Sequence, residues 1–299
     1  MMLSVWLAAA LAGAAAQDPV IRVDVKLVRV LATVTDGSRP VGDLTRDEFT
    51  LTDNGARQEI ALFERSSEQT LSVAVLVDTS GSTAKDLKVE VESVQRFLKA
   101  FLGEGNEKDS VAIYSFNWQV KQESGFTRRM GRLESALNNL RGEAGTSLYD
   151  GIYLAAQDLA QRDGRKVMIV VTDGGDTTSR IKFHDAMEAA HRADGVIYPI
   201  VVVPVKNPAG RNTGGENALA QFAAGTGGQS FSVTAGAALD AAFGRILNDL
   251  RTQYLLGYYP RQVPLTRNRF HTLKLTVTRP GLQVRARSGY YGDADPAAR

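Results

Sequence analysis

Asp78-Thr79-Ser80-Gly81-Ser82 places a carboxylate and two serine hydroxyls within five residues, directly after the apolar run Val73-Ala74-Val75-Leu76-Val77. Two further segments carry the same chemistry. Gly145-Thr146-Ser147 precedes a helical stripe, and Thr172-Asp173-Gly174-Gly175-Asp176 follows the apolar run Val167-Met168-Ile169-Val170-Val171. Together they offer carboxylate and hydroxyl oxygens, with no thiol or imidazole among them. Such donors suit hard cations, Mg²⁺, Mn²⁺ or Ca²⁺, and disfavour zinc and copper. The chain has no cysteine at all, which removes thiolate metal sites, cysteine nucleophiles and disulfides.

These segments need elements that bring them to one place. Between Leu71 and Leu250 strand-like and helix-like patterns alternate. The runs Val73–Val77 and Val167–Val171 are apolar throughout, as expected of strands covered on both faces of a parallel sheet. Val111 to Phe116 and Val196 to Val203 read as further strands. Lys85 to Leu102 has helical spacing, with Leu87, Val91, Val94, Leu98 and Phe101 on one side. Leu133-Leu137-Leu140, Leu148-Ile152-Ala155-Leu159, Ile181 to Ala193, Ala218 to Ala224 and Ala237 to Leu250 are also helical. The fold class that follows is α/β, a doubly wound and mostly parallel sheet. In such sheets binding sites form in the loops at the carboxyl ends of the strands, where the three oxygen-rich segments fall.

The flanks differ. Residues 17–69 and 251–292 are β-rich, and the simplest arrangement pairs them into a small β-sandwich with the α/β domain (residues 70–250) inserted between. Asp53-Asn54-Gly55 is a hairpin signal between Phe49–Thr52 and Ile60–Phe63, and Arg279-Pro280-Gly281 suggests another between Phe270–Thr278 and Leu282–Arg287. Residues 1–16 are uncharged and apolar, and Ala14-Ala15-Ala16 fits a small-residue cleavage site. They read as a secretory leader, since the run is shorter than the roughly 20 residues that cross a bilayer. The expected location is therefore secreted or periplasmic, with no transmembrane segment after leader removal and a tail at residues 293–299. A net charge of +2 and 43% apolar residues describe a globular chain with no bulk attraction for nucleic acid.

Asp78, Ser80 and Ser82 match the DxSxS motif of von Willebrand factor A (integrin I-like) domains, and Thr146 and Asp173 stand where that family's later threonine and aspartate stand. The chain therefore resembles that family over about Leu71 to Leu250, and its flanks resemble those of bacterial secreted members. The resemblance implies a metal-ion-dependent adhesion site. Asp78, Ser80, Ser82, Thr146 and Asp173 would hold Mg²⁺ (or Mn²⁺ or Ca²⁺), the hydroxyls directly and the aspartates largely through waters. It implies binding rather than catalysis. A partner protein's Asp or Glu carboxylate would complete the ion's shell, and Asp176 and Thr177 would add outer bonds.

Other readings have less support. Each loop alone could simply cap a helix or make a turn; the coincidence of three favours the ion. The phosphate-binding patterns G-x-G-x-x-G and G-x-x-x-x-G-K-[ST] are absent, as is the G-x-S-x-G elbow of serine hydrolases. A dehalogenase-like phosphotransferase would need an acid where Ser80 stands. His184, His191 and His271 have no carboxylate at ligand spacing, so no enzyme is expected. The closing segment carries Arg251, Arg261, Arg267, Arg269, Lys274, Arg279, Arg285 and Arg287 without an acid. Alternation with Leu273, Leu275 and Val277 makes this chiefly a solvated sheet face. The alternative function is a structural scaffold or assembly factor of the cell envelope, in which the β flanks bind the partner.

Overall fold

The computed structural model describes residues 27–65, 69–83, 85–203, 212–263 and 269–292; residues 1–16, expected to be a leader, and the tail at residues 293–299 lie outside them. The amino-terminal flank contains β1 (Val28–Asp36), β2 (Arg39–Pro40), a single 3₁₀ turn (Arg46–Glu48), β3 (Phe49–Asp53), β4 (Ala56–Gln58) and β5 (Leu62–Arg65). The central unit runs β6 (Leu71–Asp78), α1 (Leu87–Glu104), β7 (Ser110–Phe116), β8 (Val120–Thr127), α2 (Met130–Asn138), α3 (Leu148–Ala160) and β9 (Arg165–Thr172). It continues through α4 (Phe183–Arg192), β10 (Gly195–Val202), α5 (Thr213–Thr226), β11 (Phe231–Val233) and α6 (Ala237–Thr252). The closing flank adds β12 (Tyr254–Tyr258), β13 (Phe270–Val277), β14 (Gln283–Ala286) and β15 (Gly289–Tyr291).

The central sheet has the order β11-β10-β9-β6-β7-β8. All its pairs are parallel except β7 with β8. Alternate residues of each strand serve opposite layers, which is why the runs are apolar throughout. Val73, Val75 and Val77 pack with α1, α2 and α6. Ala74 and Leu76 pack with α3, α4 and α5. The helices on both faces give the doubly wound α/β class expected from the sequence.

Two antiparallel sheets, each built from both ends of the chain, form the flanking sandwich. One has the order β14-β1-β12-β5 with β2 on β1, the other β15-β13-β3-β4. Their common core joins Val30, Ala32 and Val34 to Phe49, Leu51, Tyr254, Tyr258 and Leu273. The turn Asp53-Asn54-Gly55 does close a hairpin, but its second arm is Ala56–Gln58, not Ile60–Phe63. Leu62–Arg65 crosses to the other sheet and pairs with β12. The turn at Arg279-Pro280-Gly281 likewise joins strands of different sheets: β13 pairs with β3 and β15, and β14 pairs with β1. The expected second hairpin is therefore an arch between sheets. Folding it flat would leave the apolar faces of β13 and β14 uncovered.

Candidate metal centre

Asp78 ends β6 and Asp173 follows β9, adjacent strands at the centre of the sheet. Because β6 is followed in sequence by β7 on one side and neighboured by β9 on the other, their carboxyl ends flank the point where strand order reverses, the place where open α/β sheets form a crevice. Asp78 is fully buried. Its Oδ1 accepts the Ser80 N–H at 2.8 Å and its Oδ2 accepts the Thr172 hydroxyl at 2.6 Å. The Thr172 oxygen in turn accepts the Gly174 N–H at 3.0 Å, so the first and third loops share one hydrogen-bond chain. Thr83 closes the first loop, its hydroxyl lying 3.1 Å from the Asp78 carbonyl and 2.9 Å from that of Ser80. The hydroxyls of Ser80 and Ser82 are 3.1 Å apart. Neither caps α1.

The second loop is tied to both others. The Glu143 N–H donates to the Thr79 carbonyl at 2.9 Å, and Ser147 donates to the Asn117 carbonyl at 2.6 Å. Thr146, 7% exposed, is clamped by Thr177. Its N–H donates to the Thr177 hydroxyl at 2.9 Å, and its carbonyl accepts the Thr177 N–H at 2.8 Å. Gly145 permits this path: its φ is +84°, and a Cβ there would sit 3.0 Å from the Trp118 Cβ and 3.2 Å from the Thr178 Cγ2. Trp118, more than half exposed, stands at the rim, its indole N–H donating to Glu143 at 2.6 Å.

Helix capping does not account for these groups. Ser147 is the N-cap of α3 but makes no side-chain cap bond, and its hydroxyl pairs with Thr178 at 2.9 Å. The first-turn N–H groups of Tyr149 and Asp150 go instead to Asp176 at 3.2 Å and Ser179 at 3.1 Å. Asp176 is therefore a cap supplied by the third loop, and Thr177 is the brace of Thr146.

The electrostatics are those of buried acids crowded together. Burial pushes the Asp78 acid up to about 6, the bonds from Thr172 and Ser80 pull the other way, and the Asp173 carboxylate adds to the rise. Glu90, in the first turn of α1, is 1% exposed and its Oε2 has no hydrogen-bond partner. Burial, then the charges of Asp78, Asp86 and Asp173, push it up to about 8. No motif marks Glu90 as a site residue; its one sequence signal is that it stands three residues after Leu87 and four before Val94, on the apolar stripe of its helix. Among the described residues no cluster of three or more acid, imidazole or thiol ligands occurs. Two carboxylates supplemented by three hydroxyls fit a hard cation, which would relieve the crowding of negative charge.

Fold and loops thus define an open α/β domain with three oxygen-rich loops joined at the carboxyl edge of its sheet. Residues 72–245, more than half of the 299-residue chain, match the von Willebrand factor type A domain. The protein belongs to that family. No curated protein sequence matches the chain. Similar solved structures include a variant of the PilB minor pilin from Streptococcus sanguinis, at 15% identity and TM-score 0.49, covering 62% of this chain and 62% of that one. The vWF domain of the type V pili tip protein Mfa5 from Porphyromonas gingivalis matches at 17% identity and TM-score 0.47, over 60% of this chain and 94% of that one. BatB from Bacteroides thetaiotaomicron matches at 18% identity and TM-score 0.48, over 61% and 100% respectively.

Proposed function

We propose that this protein is exported and captures an acidic group of a partner protein through a divalent cation, Mg²⁺ by donor type with Mn²⁺ and Ca²⁺ as chemical alternatives. Ser80, Ser82, Thr146, Asp78 and Asp173 would hold the ion. The observation that carries this reading is the convergence of three loops, tied by Thr172 and Thr177, on a buried carboxylate with facing serine hydroxyls. Such an ion supplies a Lewis-acidic seat for an external carboxylate, because neutral hydroxyls leave most of its charge uncompensated. The chain's own groups prepare the seat: Thr83 and Gly145 fix the loops, and Thr177 orients Thr146. No part of this requires bond-making chemistry, in keeping with a binding protein rather than an enzyme. Export is supported by the leader-like residues 1–16, and among the described residues no helix is long and apolar enough to cross a membrane.

A scaffold that docks through its arginine-rich closing flank has less support. Arg279 pairs with Asp43 and Glu48, Arg285 with Asp249, and Arg287 with Asp194, so these cations are neutralised within the chain. The test of the proposed function is capture from an envelope extract of the source organism by immobilised protein. A partner should be retained in Mg²⁺, released by chelator, and missed by Thr146→Ala. Retention indifferent to chelator and to that substitution would contradict the proposal.

A further inference from the structure

At the opposite, amino-terminal edge of the central sheet, the starts of β9 and β10 meet β1 and β12 of the sandwich. Arg165, His191 and Arg287 line one crevice there, with a cavity of about 30 Å³, room for a water or one small ion. All three are at least nine-tenths buried, at 3%, 5% and 9% exposure. Among the described residues four buried side-chain polar atoms lack a hydrogen-bond partner. One is Glu90 Oε2; the other three are Arg165 Nε, His191 Nδ1 and Arg287 Nε. Buried polar groups are seldom left unpaired, and three around one cavity need an explanation.

The charges point the same way. Arg165 donates to the Leu250 carbonyl at 2.6 Å and to Gln253 Oε1; its hydrogen bonds among the described residues end on neutral acceptors, and the Asp109 carboxylate acts on it only from beyond hydrogen-bond reach. A buried guanidinium hydrogen-bonded only to neutral acceptors is a partly compensated charge, an arrangement that disfavours the folded state unless something opposes it. Arg287 reaches Asp194 and the Arg29 carbonyl, and Arg29 is among the residues that line the same crevice. Asp194, the one carboxylate in the lining, is taken by Arg287, which leaves Arg29 and Arg165 with no acid among the lining residues. Burial and the neighbouring Arg287 hold His191 down to about 4, so its imidazole is neutral at physiological pH.

We infer that this crevice binds a small oxyanion of the phosphate or carboxylate class. Arg165 comes from the central sheet, while Arg29 and Arg287 come from the sandwich, so the anion fastens the two units together. Guanidinium groups suit it because they offer several N–H donors in a plane that matches oxyanion geometry.

Thermal unfolding of the full chain in phosphate, sulfate or acetate, against chloride at equal ionic strength, tests this. A bound anion should raise Tm along a saturating curve, by roughly 5–10 °C at about 100 times its dissociation constant. Arg165→Met should abolish the rise and Arg29→Gln, at the surface, should reduce it. Response to acetate alone assigns a carboxylate, and response to phosphate or sulfate assigns a tetrahedral anion. A rise linear in salt and equal in the variants is the general effect of excluded salts and would overturn the inference, as would no difference from chloride. Should Arg165→Met fail to fold, calorimetric titration of wild type and Arg29→Gln with phosphate, sulfate and acetate decides: no heat from any of the three in wild type overturns it.

Discussion

Replacing Glu90 with glutamine keeps the side chain's shape and removes its ability to ionise. Glu90 is buried, its Oε2 has no partner, and burial with the nearby charges of Asp78, Asp86 and Asp173 pushes it from 4.5 up to about 8. Because the folded-state value is raised, folding favours the protonated form. The group therefore costs nothing below about pH 4.5, and stability is lost as pH rises from there toward 8. At about 1.4 kcal/mol per unit of pKa, the loss between roughly pH 5 and pH 8 comes to about 3 kcal/mol. Urea unfolding of wild type and Glu90→Gln in chelator measures it. The two proteins should agree within about 1 kcal/mol near pH 5, and the variant should be the more stable by about 3 kcal/mol near pH 8. A difference that stays constant across this range, or a variant less stable at the higher pH, would refute the placing of a buried ionisable acid at this position.

Three further outcomes follow from the same structure. Asp78 must give up its proton to serve an ion, so the apparent Mg²⁺ affinity should fall about tenfold per pH unit below about 6 and be flat above about 7; titration calorimetry across pH checks this. Thr177→Val removes the acceptor of the Thr146 N–H and should weaken Mg²⁺ binding about 10- to 100-fold while costing roughly 1 kcal/mol of stability. Tyr258→Phe removes the 2.6 Å bond to Asp53, a fully buried carboxylate also held by Tyr290 at 2.9 Å and His271 at 3.0 Å. It should cost about 1–3 kcal/mol in denaturant unfolding and leave Mg²⁺ affinity unchanged, since the sandwich bears that network.

The α/β unit was legible because its inner strands are buried on both faces and its helices carry apolar stripes; these patterns are local. The edge strands were not. Val120–Thr127 is polar and half exposed, and Phe231–Val233 has three residues, so neither forms an apolar run. In the flanks alternation marked strands but not partners. Leu275 pairs with Leu51, some 220 residues away, and β1 lies between β12 and β14. What sets these pairings is which apolar faces must cover each other, and no turn sequence records that. At the candidate metal centre, motif order named Asp78, Ser80, Ser82, Thr146 and Asp173, and the fold brings the three loops that carry them together. The bracing by Thr83, Thr172 and Thr178 depends on loop paths that only the fold defines. Glu90 did leave a trace, as an acid on an apolar stripe. Arg165 and His191 left none, because a buried arginine and a surface one look alike in sequence.

The central claim is that Asp78, Ser80, Ser82, Thr146 and Asp173 hold a divalent cation. Isothermal titration of Mg²⁺ and Mn²⁺ into wild type and Asp78→Ala addresses it most directly. Saturable one-site binding by wild type, lost in an Asp78→Ala variant that retains its fold by circular dichroism, is the predicted result. Negligible heat from both proteins, or equal binding by both, would contradict it.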